Sequence, residues 1–168
     1  MGQQLRAILL LPGMVAIVIP ATILYFTGIR PWNVALLVVG SILILLGLTL
    51  MVWTNRLFTT VGKGTPAPWN PPRKFVVRGI YRRVRNPMLL GVFCILLGEA
   101  VFFGSLPLLD WFAVAVVVNL IYIPLSEEPG LEKRFGADYL RYKENVPRWI
   151  LRLKPWEGLA EGEKAPEN

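Results

Sequence analysis

The residues able to do chemistry in this chain are few, and they cluster. Glu127 and Glu128 stand side by side behind Ser126, and residues 54–87 carry Arg56, Lys63, Arg73, Lys74, Arg78, Arg82, Arg83 and Arg85 without a single acid. Tyr81 and Asn86 lie within that basic stretch. His is absent and Cys94 is the single cysteine. A His/Cys zinc site, a Ser–His–Asp triad, a Cys–His dyad and a structural disulfide are thereby excluded. What remains is carboxylate, guanidinium, amide and hydroxyl chemistry. Each group also has a plain structural use. Ser126 suits a helix cap followed by first-turn acids. Arg85 suits a snorkelling side chain at a membrane edge.

The elements that must hold these groups are apolar. The chain has 168 residues, 54% of them hydrophobic and 17% charged, with mean hydropathy +0.51. No charge occurs in residues 7–29 or 31–55, and each stretch exceeds the ~20 residues that cross a bilayer as a helix. Pro12 and Pro20 kink the first span rather than end it. The second, residues 34–53, carries Gly40, Ser41 and Gly47, small residues that let helices approach closely. Residues 86–126 hold only Glu99 and Asp110 as charges and fit a tight hairpin, 88–103 and 107–125, turning at Gly104, Ser105 and Pro107. The expected architecture is an all-α integral membrane protein with four transmembrane helices, the last two a hairpin, and a cytoplasmic amphipathic C-terminal helix. Residues 1–156 form one membrane-embedded domain, and 157–168 a polar, disordered tail. A signal peptide fits the N-terminus poorly, because the apolar run is too long and no cleavage site follows it. The net charge of +7 is concentrated in the basic loop. By the positive-inside rule that loop and both termini face the cytoplasm, here of a prokaryotic cell membrane. The same bias accounts for the charge without nucleic acid as a partner, and membrane lipid is the expected contact of the loop.

The stretch 62–72, rich in Gly and Pro, cannot be a regular helix. Leu131, Phe135, Tyr139, Tyr142 and Val146 recur at helical spacing and form one apolar face of a tail helix that continues, after a bend, from the fourth span and that Pro147 stops. Tyr139 and Tyr142 are expected to pack, and Cys94 to be a small buried apolar residue. Arg148 fits either a structural or a substrate contact. Glu99 and Asp110 lie near the outer surface, and Arg30 is on the same side to pair with one of them.

Three segments carry a family resemblance. They are Val77-Arg78-Gly79-Ile80-Tyr81-Arg82-Arg83-Val84-Arg85-Asn86-Pro87-Met88-Leu89-Leu90-Gly91; Glu127-Glu128-Pro129-Gly130-Leu131 running into Phe135-Gly136-Ala137-Asp138-Tyr139; and Tyr142 with Val146-Pro147-Arg148-Trp149-Ile150. In this order they resemble the integral-membrane methyltransferases of the isoprenylcysteine carboxyl methyltransferase and phospholipid methyltransferase group, over roughly residues 74–152. Asn86 stands where His is commoner, and Leu89 where the pattern favours Tyr.

The resemblance implies S-adenosyl-L-methionine as cofactor, a lipophilic or small-molecule methyl acceptor arriving from the bilayer, and no metal. It implies Arg85 and Glu128 as catalytic residues, and Tyr81, Asn86, Pro87, Met88, Leu89, Glu127 and Glu128 around the cofactor. Carboxylates suit its ammonium and ribose, the free N–H groups of a helix start suit its carboxylate, and Tyr81 suits its adenine. Alignment and exclusion of water would then carry the catalysis. Two other readings remain. Some sterol reductases, which bind a nicotinamide cofactor, resemble the C-terminal part of the architecture, and a non-catalytic membrane scaffold or assembly protein could retain the fold. The oligomeric state is left open.

Overall fold

A computed structural model describes residues 13–29, 33–62 and 75–158. The beginning of the first expected span, Arg30, most of the Gly/Pro-rich stretch and residues 159–168 of the expected disordered tail lie outside them. The described chain is all helix and loop. A π-helical turn, Met14–Val18, leads into α1, Ile19–Thr27. α2 is Val34–Thr60, and a 3-10 turn follows at Gly79–Arg82. α3 is Pro87–Phe102, α4 Leu106–Tyr122, and α5 Glu128–Asn145. The expected hairpin turn falls between Phe102 and Leu106. Val34–Thr60 and the continuous helical stretch Leu106–Asn145 are long and apolar enough to cross a membrane, and Met14–Thr27 and Pro87–Phe102 are shorter apolar helices.

Close approach of α2 and α3 rests on glycine. Gly40 and Gly47 of α2 face Gly98 and Gly91 of α3, each pair seven residues apart on its own helix. A methyl group on Gly91 would sit 2.9 Å from the Gly47 carbonyl oxygen, and one on Gly98 2.9 Å from that of Gly40. The two backbones therefore touch without side chains between them. In lipid, where apolar burial gives no drive toward association, such packing is a main source of helix–helix attraction. Ala16, Val92, Ile95, Leu96 and Ala115 build a second contact layer joining the N-terminal helix, α3 and α4.

Both π segments adjoin proline. The Ile19 amide turns back to the Met14 carbonyl, and Pro20, one residue on, has no N–H to offer Val15. The Val15 carbonyl is instead satisfied by Trp111 Nε1, 3.0 Å away on α4. Trp111→Phe keeps an aromatic ring but strands that carbonyl. We expect it to cost ~1–3 kcal/mol, readable as a shift in the denaturant midpoint of the solubilised protein.

At the junction after α4 the tail helix continues from the last span, as expected, but the Ser126 cap does not form. Ser126 does not cap a new helix: a π turn, Ile123–Glu127, carries the chain straight from α4 into α5. Pro124 and Pro129 each remove an amide from the α-helical ladder, and the wider turn accommodates the loss. The tail helix is likewise not one straight rod. Gly136 sits at φ 53, ψ −130 inside α5 and breaks it in two. A side chain is strained there, so Gly136→Ala should cost ~1–3 kcal/mol and loosen amide protection after residue 136 in hydrogen exchange. The kink keeps the expected apolar face in contact. Tyr139, Tyr142 and Val146 are buried, with Leu131, Phe135, Phe75, Val77 and Trp156 packed against them.

Candidate functional site

The loop that precedes α3 and the stretch that follows α5 are stitched together along the backbone. The Arg85 amide donates to the Pro147 carbonyl at 3.0 Å, the Arg152 amide to Arg83 at 3.0 Å, and the Trp156 amide to Arg82 at 2.8 Å. Side chains reinforce this. Arg82 Nε donates to the Trp156 carbonyl at 2.5 Å, Arg83 to that of Leu153 at 2.6 Å, and the Tyr142 hydroxyl to that of Tyr81 at 2.7 Å. Pro147 ends the helix, so the carbonyls beyond it have no ladder of their own, and the arginines of the basic loop supply donors. Arg82 and Arg83, read from sequence only as topology signals, thus bind the tail. The signal available was weak: two arginines after Tyr81, and a run beyond Pro147 with no helical periodicity.

At the centre of this seam lies Glu128. Its side chain is only 4% exposed. Arg148 grips it with two donors, Nε to Oε1 at 2.6 Å and Nη2 to Oε2 at 2.9 Å. Arg85 Nη1 donates to Oε1 at 2.9 Å, and Lys143 Nζ lies 3.5 Å from Oε2. The nearby Tyr139 hydroxyl has its pKa pushed up to about 12 by burial and by the Glu128 charge, against the opposing charge of Arg85. Lys143 makes its closer contact with Glu132, at 2.5 Å. Arg148, ambiguous in sequence, is therefore a direct partner of the candidate carboxylate.

Burial alone would raise the Glu128 carboxyl. The Arg148 hydrogen bond and the charges of Arg85, Arg148 and Lys143 outweigh it and hold the group below its ordinary value. A carboxylate with a lowered folded pKa stabilises the fold above its unfolded pKa, ~4.3 for Glu, and loses that contribution as pH falls through the folded value. A melting-temperature profile should therefore show an acid limb below about pH 4 that is diminished in Glu128→Gln.

The other sequence-named residues fall as follows. Asn86 precedes α3 without capping it through its side chain, and Pro87 is the first residue of that helix. The amides of Met88 and Leu89 are helix-start donors with no acceptor inside the helix. Both side chains are half-buried, as is Asn86. Tyr81 is buried with Val76, Ile80 and Val84, its ring edge-on to Phe58 at 5.5 Å. Glu127 is exposed and takes no part in the Glu128 cluster. In the apolar bundle, Glu99 keeps a buried carboxylate oxygen without a partner among the described residues, and Asp110 is exposed.

An apolar helical bundle with an ion-paired seam where α3 and α5 begin defines a membrane protein whose polar chemistry sits at one end. Residues 35–138, more than half of the chain, match the model of the phospholipid methyltransferase family, and the chain belongs to that family. Its members are integral-membrane methyltransferases that use S-adenosylmethionine, so the protein is a membrane-bound, S-adenosylmethionine-dependent methyltransferase. The chain is also 38% identical over 66 residues to an uncharacterized protein of Haemophilus influenzae, a stretch that spans 38% of this chain and 100% of that protein. No solved structure matches it.

The donor set fits the cofactor. Arg85 Nε is buried and lacks an acceptor among the described residues, and the helix-start amides of Met88 and Leu89 offer two more donors, a set suited to a carboxylate. Glu127 supplies a carboxylate with no cation locked to it among the described residues, suited to an ammonium or a ribose. When bound, S-adenosylmethionine supplies an electrophilic methyl group.

Proposed function

We propose that this protein transfers a methyl group to a lipid-like acceptor at the cytoplasmic membrane face, with the cofactor held between residues 81–89 and the Glu127–Glu128 pair. The observation that carries this reading is the Arg85–Glu128–Arg148 cluster. It ties together the three sequence segments that resemble the family, although residues 85 and 128 are 43 positions apart. In this reading Glu128 is a positioning group. It is saturated by cations, and it orients Arg85 so that the unpartnered Nε faces the cofactor. Glu127 and the start of α3 contact the cofactor directly, and Tyr81 supports the wall from behind. Four spans carry the site, formed by the N-terminal helix, α2, α3 and α4, with both termini and the basic loop on the cytoplasmic side. The α3 helix of 16 residues covers about 24 Å, less than the ~30 Å hydrocarbon core, so the turns flanking it complete the crossing. An acceptor with an acyl or prenyl chain enters from lipid, and one whose reactive group is already a carboxylate needs no base.

The test is cofactor binding by the detergent-solubilised full chain. At a hundredfold excess over Kd, a single-site ligand stabilises by ~2.7 kcal/mol. S-adenosylmethionine should raise the melting temperature, and nicotinamide dinucleotide phosphate should not. Glu127→Gln should weaken the effect while leaving the ligand-free melting temperature in place, because its side chain is exposed. A stabilisation by the nicotinamide cofactor instead would favour the reductase reading, and no shift with either would favour a scaffold.

A further inference from the structure

Beyond Pro147 the chain leaves the seam and returns to it. It departs at the Arg85–Pro147 bond and is back at the Arg83–Arg152 bond, each 3.0 Å. Between them Trp149 stacks on Phe93 of α3, with ring centroids 5.7 Å apart. Phe93 lies six residues into that helix, about 9 Å below its start. The Trp149 side chain therefore reaches down the flank of an apolar helix. The residues it turns outward are apolar: Ile150 is 76% exposed, Leu151 51% and Leu153 93%. Basic groups flank them, Arg152 and the exposed Lys154. Such exposure on an irregular segment is costly in water unless something covers it.

We propose that residues 149–153 form a hook that dips into the cytoplasmic leaflet of an anionic bilayer. Ile150 and Leu151 enter the acyl region, Leu153 lies at its edge, and Arg152 and Lys154 meet headgroup phosphates. Three observations select lipid as the occupant. The hook packs on α3 through Trp149, it carries cations at its rim, and the span arrangement proposed above sets α3 within the membrane. The backbone groups of the hook are tied to the basic loop at both ends, which limits the unpaired polar surface taken into the membrane. This inference rests on the span arrangement proposed above. It adds a place where an acyl-bearing acceptor would first touch the protein, one residue from the Arg148 that grips Glu128.

The experiment uses the full chain with Cys94→Ser, reconstituted in vesicles of phosphatidylcholine with and without phosphatidylglycerol. Spin labels are placed by Ile150→Cys, by Ile42→Cys on the exposed face of α2, and by Lys133→Cys on α5. Collisions with oxygen and with a water-soluble nickel chelate report depth. The label at residue 150 should behave as that at 42, oxygen-accessible and shielded from nickel, and opposite to that at 133. Added phosphatidylglycerol should deepen it further, and Lys154→Gln should remove that increment. Nickel access at 150 with 42 still shielded would overturn the hook alone. Nickel access at both would overturn the span arrangement and the hook with it. Spin–spin broadening at 150 would assign the patch to a second copy of the chain and likewise overturn insertion.

Discussion

Replacing Glu128 by Ala is expected to cost ~3–5 kcal/mol of stability and to remove the cofactor-dependent rise in melting temperature. The carboxylate is nearly inaccessible, and the Arg85 side chain that it holds is only 10% exposed. Truncation leaves that guanidinium buried without its counter-charge, and such a loss costs far more than a surface pair contributes. Arg148, at 28% exposure, recovers part of its solvation and moderates the penalty. The control is Lys143→Met. That side chain is 36% exposed, and surface pairs are worth at most about 1 kcal/mol. A chain in which both variants behave alike would have no cage around Glu128. Equilibrium unfolding of the solubilised protein separates the two outcomes, and Glu128→Gln gives the intermediate case, since the amide keeps the shape and loses the charge.

Gly47→Leu should have an effect of similar or greater size, expressed as loss of folded protein. A side chain at Gly47 would run into the Gly91 carbonyl oxygen and into Ile95 on the opposing helix. Backbone cannot yield as a flexible side chain does. The α2–α3 pair would have to separate, and it would give up the contact that holds the bundle together. Overpacking typically costs ~1–3 kcal/mol where side chains can adjust, and more where they cannot. Gly130→Ala provides the contrast. Among the described residues nothing lies within 4 Å of the position its methyl group would take, and it sits in the helical part of α5. There Ala should be neutral or stabilising by ~0.5–1 kcal/mol. Size-exclusion profiles and recovered yield in mild detergent read the first variant, and melting temperatures the second.

The parts of this molecule that were legible in its sequence are those set by hydropathy and by local spacing. The apolar runs and the turn near Gly104 depend only on composition along the chain, and the structure places α3 and α4 within a few residues of their expected bounds, while α2 starts as expected and runs seven residues past its expected end, to Thr60. Gly40 and Gly47 announced a close approach, though not which helix would come near. The partner glycines, Gly91 and Gly98, carry the same spacing and were readable on the same grounds. The face of Leu131, Phe135, Tyr139, Tyr142 and Val146 was visible from periodicity. Its break at Gly136 was not, because a glycine between apolar positions of a helical pattern gives no local sign of positive φ. Ser126 misled for a related reason. Serine followed by two acids and a proline is a strong local helix start, but a helix arriving from α4 overrode it, and Pro124 and Pro129 were absorbed by a π turn.

The candidate site was legible in its members and not in its wiring. Glu128, Arg85 and the helix start at Pro87 were all singled out, yet nothing local says that Arg148, 20 positions on, supplies two of the hydrogen bonds to Glu128. Arg82 shows the difficulty most clearly. Its acceptor is the Trp156 carbonyl, 74 residues away, and the bias of basic residues toward the cytoplasm explains its presence equally well. One sequence cannot separate a topology signal from a tail clamp when the same arginine serves as both.

The central claim is that the loop before α3 and the Glu127–Glu128 pair share one bound nucleoside. Direct ultraviolet photolabelling with tritium-labelled S-adenosylmethionine, followed by peptide mapping of the full chain in lipid nanodiscs, tests it. Label is expected in peptides that contain residues 81–91 and 127–149, and unlabelled cofactor should compete it away. Saturable label confined to the opposite end of the bundle, around the turn at residues 103–106, would contradict it.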